Sequence, residues 1–185
     1  MPIVIMLLHL MIVAVVAGLL HIAGLFVLPR MAQEDAFSVF SRLSGPDGVT
    51  VITEDRLRQM PFVDPHVAIG ICKFDLSVGP FRVRTGLSDT FLAVVFAREQ
   101  HGILASVSDR AATSGALDVV LATPAQLERI AALDDGNEAI EEVRVPSSQM
   151  RGVAIIKILV DRPSSRPGAE AVIRAVQCGS EALPG

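Results

Sequence analysis

Hydrophobic and polar positions divide the chain into two parts near residue 30. Residues 3–28 are almost entirely apolar and contain no Asp, Glu, Lys or Arg. As a helix with a rise of about 1.5 Å per residue, this stretch would exceed the roughly 30 Å hydrocarbon core of a bilayer. The pattern predicts a transmembrane anchor at residues 1–30 and one soluble domain at residues 31–185.

The soluble domain shows the alternation and the short apolar runs that are typical of strands. A short apolar run lies at residues 49–52, and predicted strands lie at residues 66–76, 81–85, 90–97, 103–107, 118–122, 139–145 and 152–160. Those at 90–97 and 152–160 are apolar on both faces, which indicates central positions in a sheet. The sequence therefore predicts a mainly β, sandwich-like domain.

A few short helices complete this prediction. Residues 35–43 carry apolar side chains at helical spacing. Residues 167–177 predict a closing helix, with a spacing that extends to Cys178. Residues 53–60 are polar, and no element is predicted there.

The helix predicted at residues 123–133 has the clearest local signal. Thr123 is a good capping residue, and Pro124 suits the first helical position. Gln126 stands where it completes a capping box with Thr123. This short segment predicts its own start without help from the rest of the fold.

The first apolar stretch is predicted to be an uncleaved anchor rather than a signal peptide. No Lys or Arg precedes it, and no small-x-small cleavage site follows it. It is also longer than the roughly 7–15 apolar residues of a signal peptide. Arg30 and Arg42 follow the stretch, so the positive-inside rule by itself places the domain in the cytoplasm.

Composition argues against a nucleic-acid partner. The formal net charge is −4, and the sequence contains neither Trp nor Tyr. Without a basic run or stacking aromatics, neither DNA nor RNA binding is predicted.

Residues of metal-binding type are present, but their spacing does not support a site. His66, Cys72, His101 and Cys178 come from four distant segments, with no CxxC, HxH or HExxH pattern. Such patterns are the usual signal of a zinc site. No metal and no other cofactor is therefore predicted.

No catalytic arrangement is predicted either. Ser114 lies in a Thr-Ser-Gly sequence that favours a turn, and no GxSxG motif is present. Asp75, Asp109, Arg110 and Asp118 are candidates for one polar cluster. We interpret them as structural ion pairs that join loops.

One face of the predicted anchor carries small residues around a histidine. At 100° per residue these positions share one arc of about 120°. They are Ala14, Ala17, Gly18, His21 and Gly24. Such a face permits close helix–helix packing with a hydrogen bond from His21. Glycine and alanine are also frequent in membrane spans generally, so both interpretations remain open.

Most of residues 61–178 resembles the bacterial domain-of-unknown-function family 1254. The residues that carry the resemblance are Phe74-Asp75-Leu76 with Gly79-Pro80, Ser108-Asp109-Arg110, and Leu117-Asp118-Val119-Val120 with Thr123-Pro124. The N-terminal anchor and the late cysteine are similar to short single-span members.

The resemblance implies a β-rich fold and a bacterial inner-membrane protein with a periplasmic domain. In longer members a second domain, of unknown function family 1214, follows in the same chain. Short members look like the first half alone, which implies a separately encoded second half as a protein partner. The family supplies no catalytic residues to carry over.

The two cysteines distinguish the possible compartments. In a periplasmic domain, Cys72 and Cys178 are expected to form a disulfide, whereas in the cytoplasm they would be buried free thiols. The flanking arginines favour the cytoplasm, and the family resemblance favours the periplasm.

These observations predict a non-catalytic, membrane-anchored envelope protein that binds a partner or acts as a scaffold. Its partner is either the separately encoded second domain or a second copy of the chain. The alternative is half of a ligand-binding or hydrolytic enzyme, with a pocket completed by the second domain.

Overall fold

The computed structural model describes residues 2–31, 36–45, 48–60, 63–98, 102–134 and 141–182. Its helices are α1 Pro2–Met31, α2 Ala36–Leu43, α3 Glu54–Gln59, α4 Pro124–Leu133 and α5 Arg166–Arg174. Its strands are β1 Thr50–Ile52, β2 Val67–Asp75, β3 Phe81–Gly86, β4 Leu92–Arg98, β5 Gly102–Ser108, β6 Ala116–Ala122, β7 Val143–Pro146, β8 Arg151–Leu159 and β9 Gln177–Ser180. The chain forms two units, Met1–Asp35 and Ala36–Gly185.

Helix α1 contains the predicted apolar segment. Its stretch Pro2–Leu28 has 27 residues and a mean hydropathy of 3.0, and none of it is buried. By length and composition it is the one helix of the described chain able to cross a bilayer. Membrane anchors and signal sequences share these properties.

The second unit is a β sandwich, as the sequence predicts. Within the described residues, sheet A has the strand order β1-β2-β8-β4-β5, and sheet B has the order β7-β6-β3-β9. All neighbours in sheet A are antiparallel. In sheet B, only the described pair β6–β7 is parallel. The central strands β4 and β8 are those predicted to be apolar on both faces.

The main core lies between the two sheets. It joins Phe74 of β2 and Phe96 of β4 to Phe81 of β3, with Phe74 ring centroids 6.3 and 5.7 Å from the other two. Gly152 allows this packing, because a Cβ there would lie only 2.4 Å from the Phe74 ring. Helix α5 closes the same core with Ala169 and Ile173.

Sheet A buries its outer face as well. Phe40 of α2 and Leu57 of α3 pack on it, over Ile71, Val95 and Ile155. Sheet A can contribute to a core on each of its faces, because successive side chains of a strand point to opposite faces. Along β2, the faces divide as the sequence predicts: Ile69 and Ile71 face α2 and α3, whereas Cys72 and Phe74 face sheet B.

Helix α4 is the crossover between the parallel strands β6 and β7. The predicted capping box is confirmed, since Thr123 N donates to Gln126 Oε1 at 2.9 Å and Gln126 N donates to Thr123 Oγ1 at 3.3 Å. Gln126 Nε2 also donates to the Leu76 carbonyl oxygen at 2.8 Å. The cap therefore ties the helix to the turn between β2 and β3.

Three sequence predictions need correction. Residues 53–60, left without an element, form α3, which buries Leu57. The closing helix ends at Arg174, not at residue 177, and Cys178 lies on β9, where it pairs with Val83 of β3. The predicted strand 139–145 corresponds to Val143–Pro146, and residues 139–140 lie outside the described part.

Candidate functional site

Cys72 and Cys178 connect the two sheets at one side of the sandwich. Cys72 is buried in β2 of sheet A, and Cys178 is half-buried in β9 of sheet B. The structure places them at disulfide-bonding distance, with Cα atoms 6.5 Å apart. This separation lies within the range of protein disulfides. The pairing considered from the sequence fits the fold.

A cleft of about 570 Å³ opens beside this pair. Its walls come from the end of β2, the start of β8, the strand β9 and the segment around α2. The lining residues are Ser41, Gly48, Lys73, Phe74, Asp75, Val78, Arg151, Gly152, Cys178, Gly179 and Ser180. It is the candidate site because it combines charged side chains with open strand edges.

The first open edge belongs to β2. Leu76 N donates to the Met150 carbonyl, and Val160 N donates to the His66 carbonyl, so even-numbered residues of β2 point their backbone groups toward β8. Odd-numbered residues point the other way, because backbone groups alternate along an antiparallel strand. Strand β1 pairs only with residues 69–71 of this side. Lys73 lies beyond its end.

The second open edge belongs to β9. Glu181 N donates to the Pro80 carbonyl at 2.8 Å, which directs odd-numbered positions toward β3. By the same alternation, Cys178 and Ser180 point their N–H and C=O groups away from β3. Within the described residues, no backbone hydrogen bond reaches these groups or those of Lys73. Both open edges therefore border the cleft.

Charges in the cleft come from Lys73, Asp75 and Arg151. Asp75 and Arg151 are cross-strand partners, and Lys73 precedes Asp75 on the same face of β2. Hydrogen bonds from the Ser77 hydroxyl and the Ser77 amide, together with the nearby Arg151, lower the pKa of Asp75. The carboxylate stays charged and offsets one of the two cations, so these three residues give the lining a net positive charge.

A separate ion-pair network covers the outer face of sheet B. Arg82 Nη1 lies 3.3 Å from Asp118 Oδ2, and Arg82 Nη2 donates to Glu142. Arg82 Nε lies 3.2 Å from Glu181 Oε1, but without hydrogen-bond geometry. Arg144 Nε donates to Glu142 Oε1 at 2.9 Å. The network joins β3, β6 and the segment that enters β7, a structural task.

Arg144 extends the network to the end of α4. Its Nη1 and Nη2 donate to the two oxygens of Asp134 at 2.6 and 2.9 Å. These hydrogen bonds lower the pKa of Asp134, and together with the bond to Glu142 they raise that of Arg144. Asp134 caps the C-terminal end of α4, so the pair holds that end against β7.

The structure places Asp75 and Asp118, two of the four residues of the predicted polar cluster, at different sites. Among the described residues, Asp118 forms its ion pairs with Arg82 and Arg84 instead of Arg110. Asp75 belongs to the cleft beside the disulfide. The interpretation as structural ion pairs therefore suits Asp118, but with partners that lie on the neighbouring strand.

The remaining candidates occupy ordinary structural positions. Ser114 lies in a turn with φ of 52°, and its hydroxyl donates to Glu141 Oε1 at 2.7 Å. His66 is exposed beside Asp64, whose pKa is lowered chiefly by the His66 backbone N–H. His101 lies outside the described residues. In the described ranges, no group of three or more His, Cys, Asp or Glu is placed to hold a metal ion.

The small-residue face of the anchor lies on α1. Ala14, Ala17, Gly18, His21 and Gly24 all belong to this helix. A Cβ on Gly18 would meet nothing within 4 Å, and His9 Nδ1 lies 2.7 Å from the Ile5 carbonyl. The helix is described by itself, so its contact with another helix stays a prediction.

No protein-family model matches the chain, and no curated protein matches it. Among solved structures, the VPA0106 protein of Vibrio parahaemolyticus is 12% identical over 65% of this chain and 29% of its own, with a TM-score of 0.49. An uncharacterised protein from Burkholderia cenocepacia is 14% identical over 63% of this chain and 32% of its own, with a TM-score of 0.43. This chain thus spans less than a third of either protein. Likenesses this weak carry no argument about the cleft.

Proposed function

We propose that the protein is a single-pass, non-catalytic partner-binding module, anchored in a bacterial inner membrane by α1 with its β sandwich in the periplasm. The observation that carries this proposal is the pairing of Cys72 with Cys178 between the two sheets. Disulfides persist in oxidising compartments and are rare in the cytoplasm. The apolar helix at residues 2–28 supplies the attachment to the membrane.

The charged groups of the domain support a binding role over a catalytic one. Arg82, Arg144 and Asp118 are engaged in ion pairs, and the Asp75 carboxylate is engaged by Ser77. A general acid or base must instead present its proton-transferring atom to a substrate. The cleft, by contrast, offers open strand edges and two cations.

The first experiment determines the compartment. Intact cells are treated with a membrane-impermeant alkylating reagent before and after reduction, and the purified chain is analysed by mass spectrometry. We expect Cys72 and Cys178 to escape alkylation until they are reduced. Labelling of both without reduction would contradict the disulfide. Failure to label them in intact cells after treatment with an impermeant reductant, when lysed and denatured cells do label, would contradict the periplasmic assignment. The Cys72→Ser/Cys178→Ser variant controls for reaction at other groups.

The same purification tests the anchor. Intact-mass analysis should recover residues 2–28 in the membrane-bound protein, because an uncleaved anchor is retained. Recovery of a mature chain without this segment would identify a signal sequence instead and remove the proposed attachment.

Partner binding through α1 is tested by changing the histidine at its small-residue face. His21→Leu should weaken self-association or co-purification after mild detergent extraction, since a polar group in the interface is lost. His9→Leu, which lies off this face, is the matched control. Equal behaviour of His21→Leu and the unchanged chain would remove α1 as a contact surface and leave the soluble domain to carry binding.

The second candidate function is half of a ligand-binding or hydrolytic enzyme, completed by a separately encoded domain. The cleft of about 570 Å³ is the observation in its favour, because small-molecule sites commonly have this size. Addition of the co-purified partner should then produce hydrolysis that Asp75→Asn abolishes. Full complex formation without such activity favours the binding module.

A further inference from the structure

The open edge of β9 has the form that strand addition requires. Cys178 and Ser180 stand two residues apart, and both turn their backbone donors and acceptors away from β3. An extended peptide satisfies such groups by pairing with them as a new strand. Strand β9 ends the described order of sheet B, so the added strand would extend this sheet by one.

One side-chain hydrogen bond crosses this edge, from the Ser180 hydroxyl to the Asp75 carbonyl oxygen at 3.3 Å, and the Ser180 backbone groups stay open. Gly48 and Gly179 add no side chain to the cleft, and a Cβ on either would meet nothing within 4 Å. Val78 is 71% exposed at the same place, an apolar side chain without cover. A strand laid along β9 would reach Val78 with one of its side chains, and apolar surface would be removed from water.

The positive charges across the cleft from β9 favour an acidic segment as the added strand. Lys73 and Arg151 belong to the face of sheet A that carries α2, and both are exposed and line the cleft. Asp75 carries a single negative charge, so it offsets only one of the two cations. Opposite charge across an interface favours the matching partner and repels the wrong one.

We propose that this cleft binds an extended acidic segment of a partner protein, which adds as a strand to β9 and places a carboxylate near Lys73 and Arg151. The inference rests on the proposed partner-binding role and identifies its site. Backbone pairing supplies the affinity, and the two cations supply the preference for Asp or Glu.

The test uses the full chain in mild detergent and a short capped peptide of alternating valine and glutamate, labelled with a fluorophore. Fluorescence anisotropy should show saturable binding. Hydrogen exchange at the Cys178 and Ser180 amides should slow when the peptide is bound, because strand pairing protects these groups. Absence of binding at millimolar peptide, or binding without this protection, would overturn the proposal.

Two altered peptides separate backbone pairing from charge. An N-methylated version keeps every carboxylate but loses donors on one edge, so its affinity should fall at least about tenfold. A lysine version keeps the donors and should bind more weakly by a similar factor. Equal binding of the N-methylated peptide, or of free N-acetylglutamate, would indicate a simple anion site and contradict strand addition.

Charge reversal completes the test. Lys73→Glu/Arg151→Glu should weaken binding of the glutamate peptide at least about tenfold and strengthen binding of the lysine version. Arg110→Glu changes an exposed arginine outside the cleft and should leave both affinities unchanged. Equal effects of the two variants would overturn the assignment to this cleft.

Failure of this inference can be distinguished from failure of the proposed function. If a partner still co-purifies with Lys73→Glu/Arg151→Glu as it does with the unchanged chain, the partner-binding role stands and the cleft is the wrong surface. If the unchanged chain co-purifies no partner and forms no oligomer, the proposed function itself fails.

Discussion

The two sheets of the sandwich are stabilised in different ways. Sheet A buries both faces, one against sheet B and one under α2 and α3. Sheet B buries one face in the main core, and its other face combines the buried Val120 and Ala122 with the ion pairs of Arg82 and Arg144. Apolar burial is insensitive to moderate changes of pH and salt. The half-buried ion pairs weaken when salt is added or when acid protonates their carboxylates. Solution conditions therefore act on the two sheets unequally.

The largest expected effect concerns the bond that joins the two sheets. Reduction of the Cys72–Cys178 pair, which spans 106 positions, should lower the free energy of unfolding by about 4–5 kcal/mol in the chain-entropy account. Urea denaturation followed by circular dichroism measures this, since the chain has no Trp or Tyr to report by fluorescence. The reductant should not affect the Cys72→Ala/Cys178→Ala variant. An equal loss in both would place the effect elsewhere.

The second-largest expected effect is the loss of stability when a buried side chain of sheet A is removed. Phe96→Ala should cost about 3–4 kcal/mol, because Phe96 is fully buried and its removal leaves a cavity. Phe91→Ala, at a position that is 52% exposed, is the matched control and should cost well under about 1 kcal/mol. Similar losses for the two phenylalanines would contradict the described core.

A smaller loss of stability is expected when an ion pair on the outer face of sheet B is removed. Arg82→Leu should cost about 1–2 kcal/mol, because Asp118 and Glu142 lose a charged hydrogen-bond donor. This loss should shrink at high salt, unlike that of Phe96→Ala. Arg84→Leu removes an arginine that is 60% exposed and should change little. A salt-independent loss at Arg82 would mean that packing outweighs charge on this face.

The smallest effect concerns acid. The folded-state pKa of Asp134 is lowered by Arg144, so its contribution is present at neutral pH and is lost as the pH falls below the ordinary value of 3.8. Asp134→Asn should therefore reduce the acid sensitivity of unfolding, measured by denaturation between neutral pH and pH about 2. Asp89→Asn, in the exposed segment before β4, is the control. If Asp134→Asn has the same dependence of unfolding on pH as the unchanged chain, the Asp134–Arg144 pair does not contribute to stability.

Segments that carry their own local signal were predictable from the sequence. Thr123 and Gln126 specify the start of α4 through bonds within one turn, and the structure contains both bonds. The apolar runs of β4 and β8 indicate burial on two faces, and both strands lie inside sheet A. These features depend on side chains close in sequence, or on hydrophobicity alone.

Features that depend on distant partners were not predictable. Strand β9 has no strand pattern of its own and exists because it pairs with residues 81–84 of β3. Helix α3 is polar apart from Leu57. The burial of Leu57 against sheet A holds the helix in place. The cleft requires both that β1 begins only at Thr50, opposite Ile71, and that β9 is aligned beside it. No residue of the cleft lining carries a local sequence signal that predicts this arrangement of strands.

The position of β8 in sheet A has a consequence for folding. This strand lies between β2 and β4, although both precede it far back in the chain. The hairpin of β4 and β5 forms locally, but it joins β1 and β2 only after β8 has been synthesised. Folds dominated by such non-local pairing fold slowly, on about the millisecond-to-second scale. Until β8 arrives, two apolar half-sheets must be kept from aggregating, and the newly made domain is at its most vulnerable during that interval.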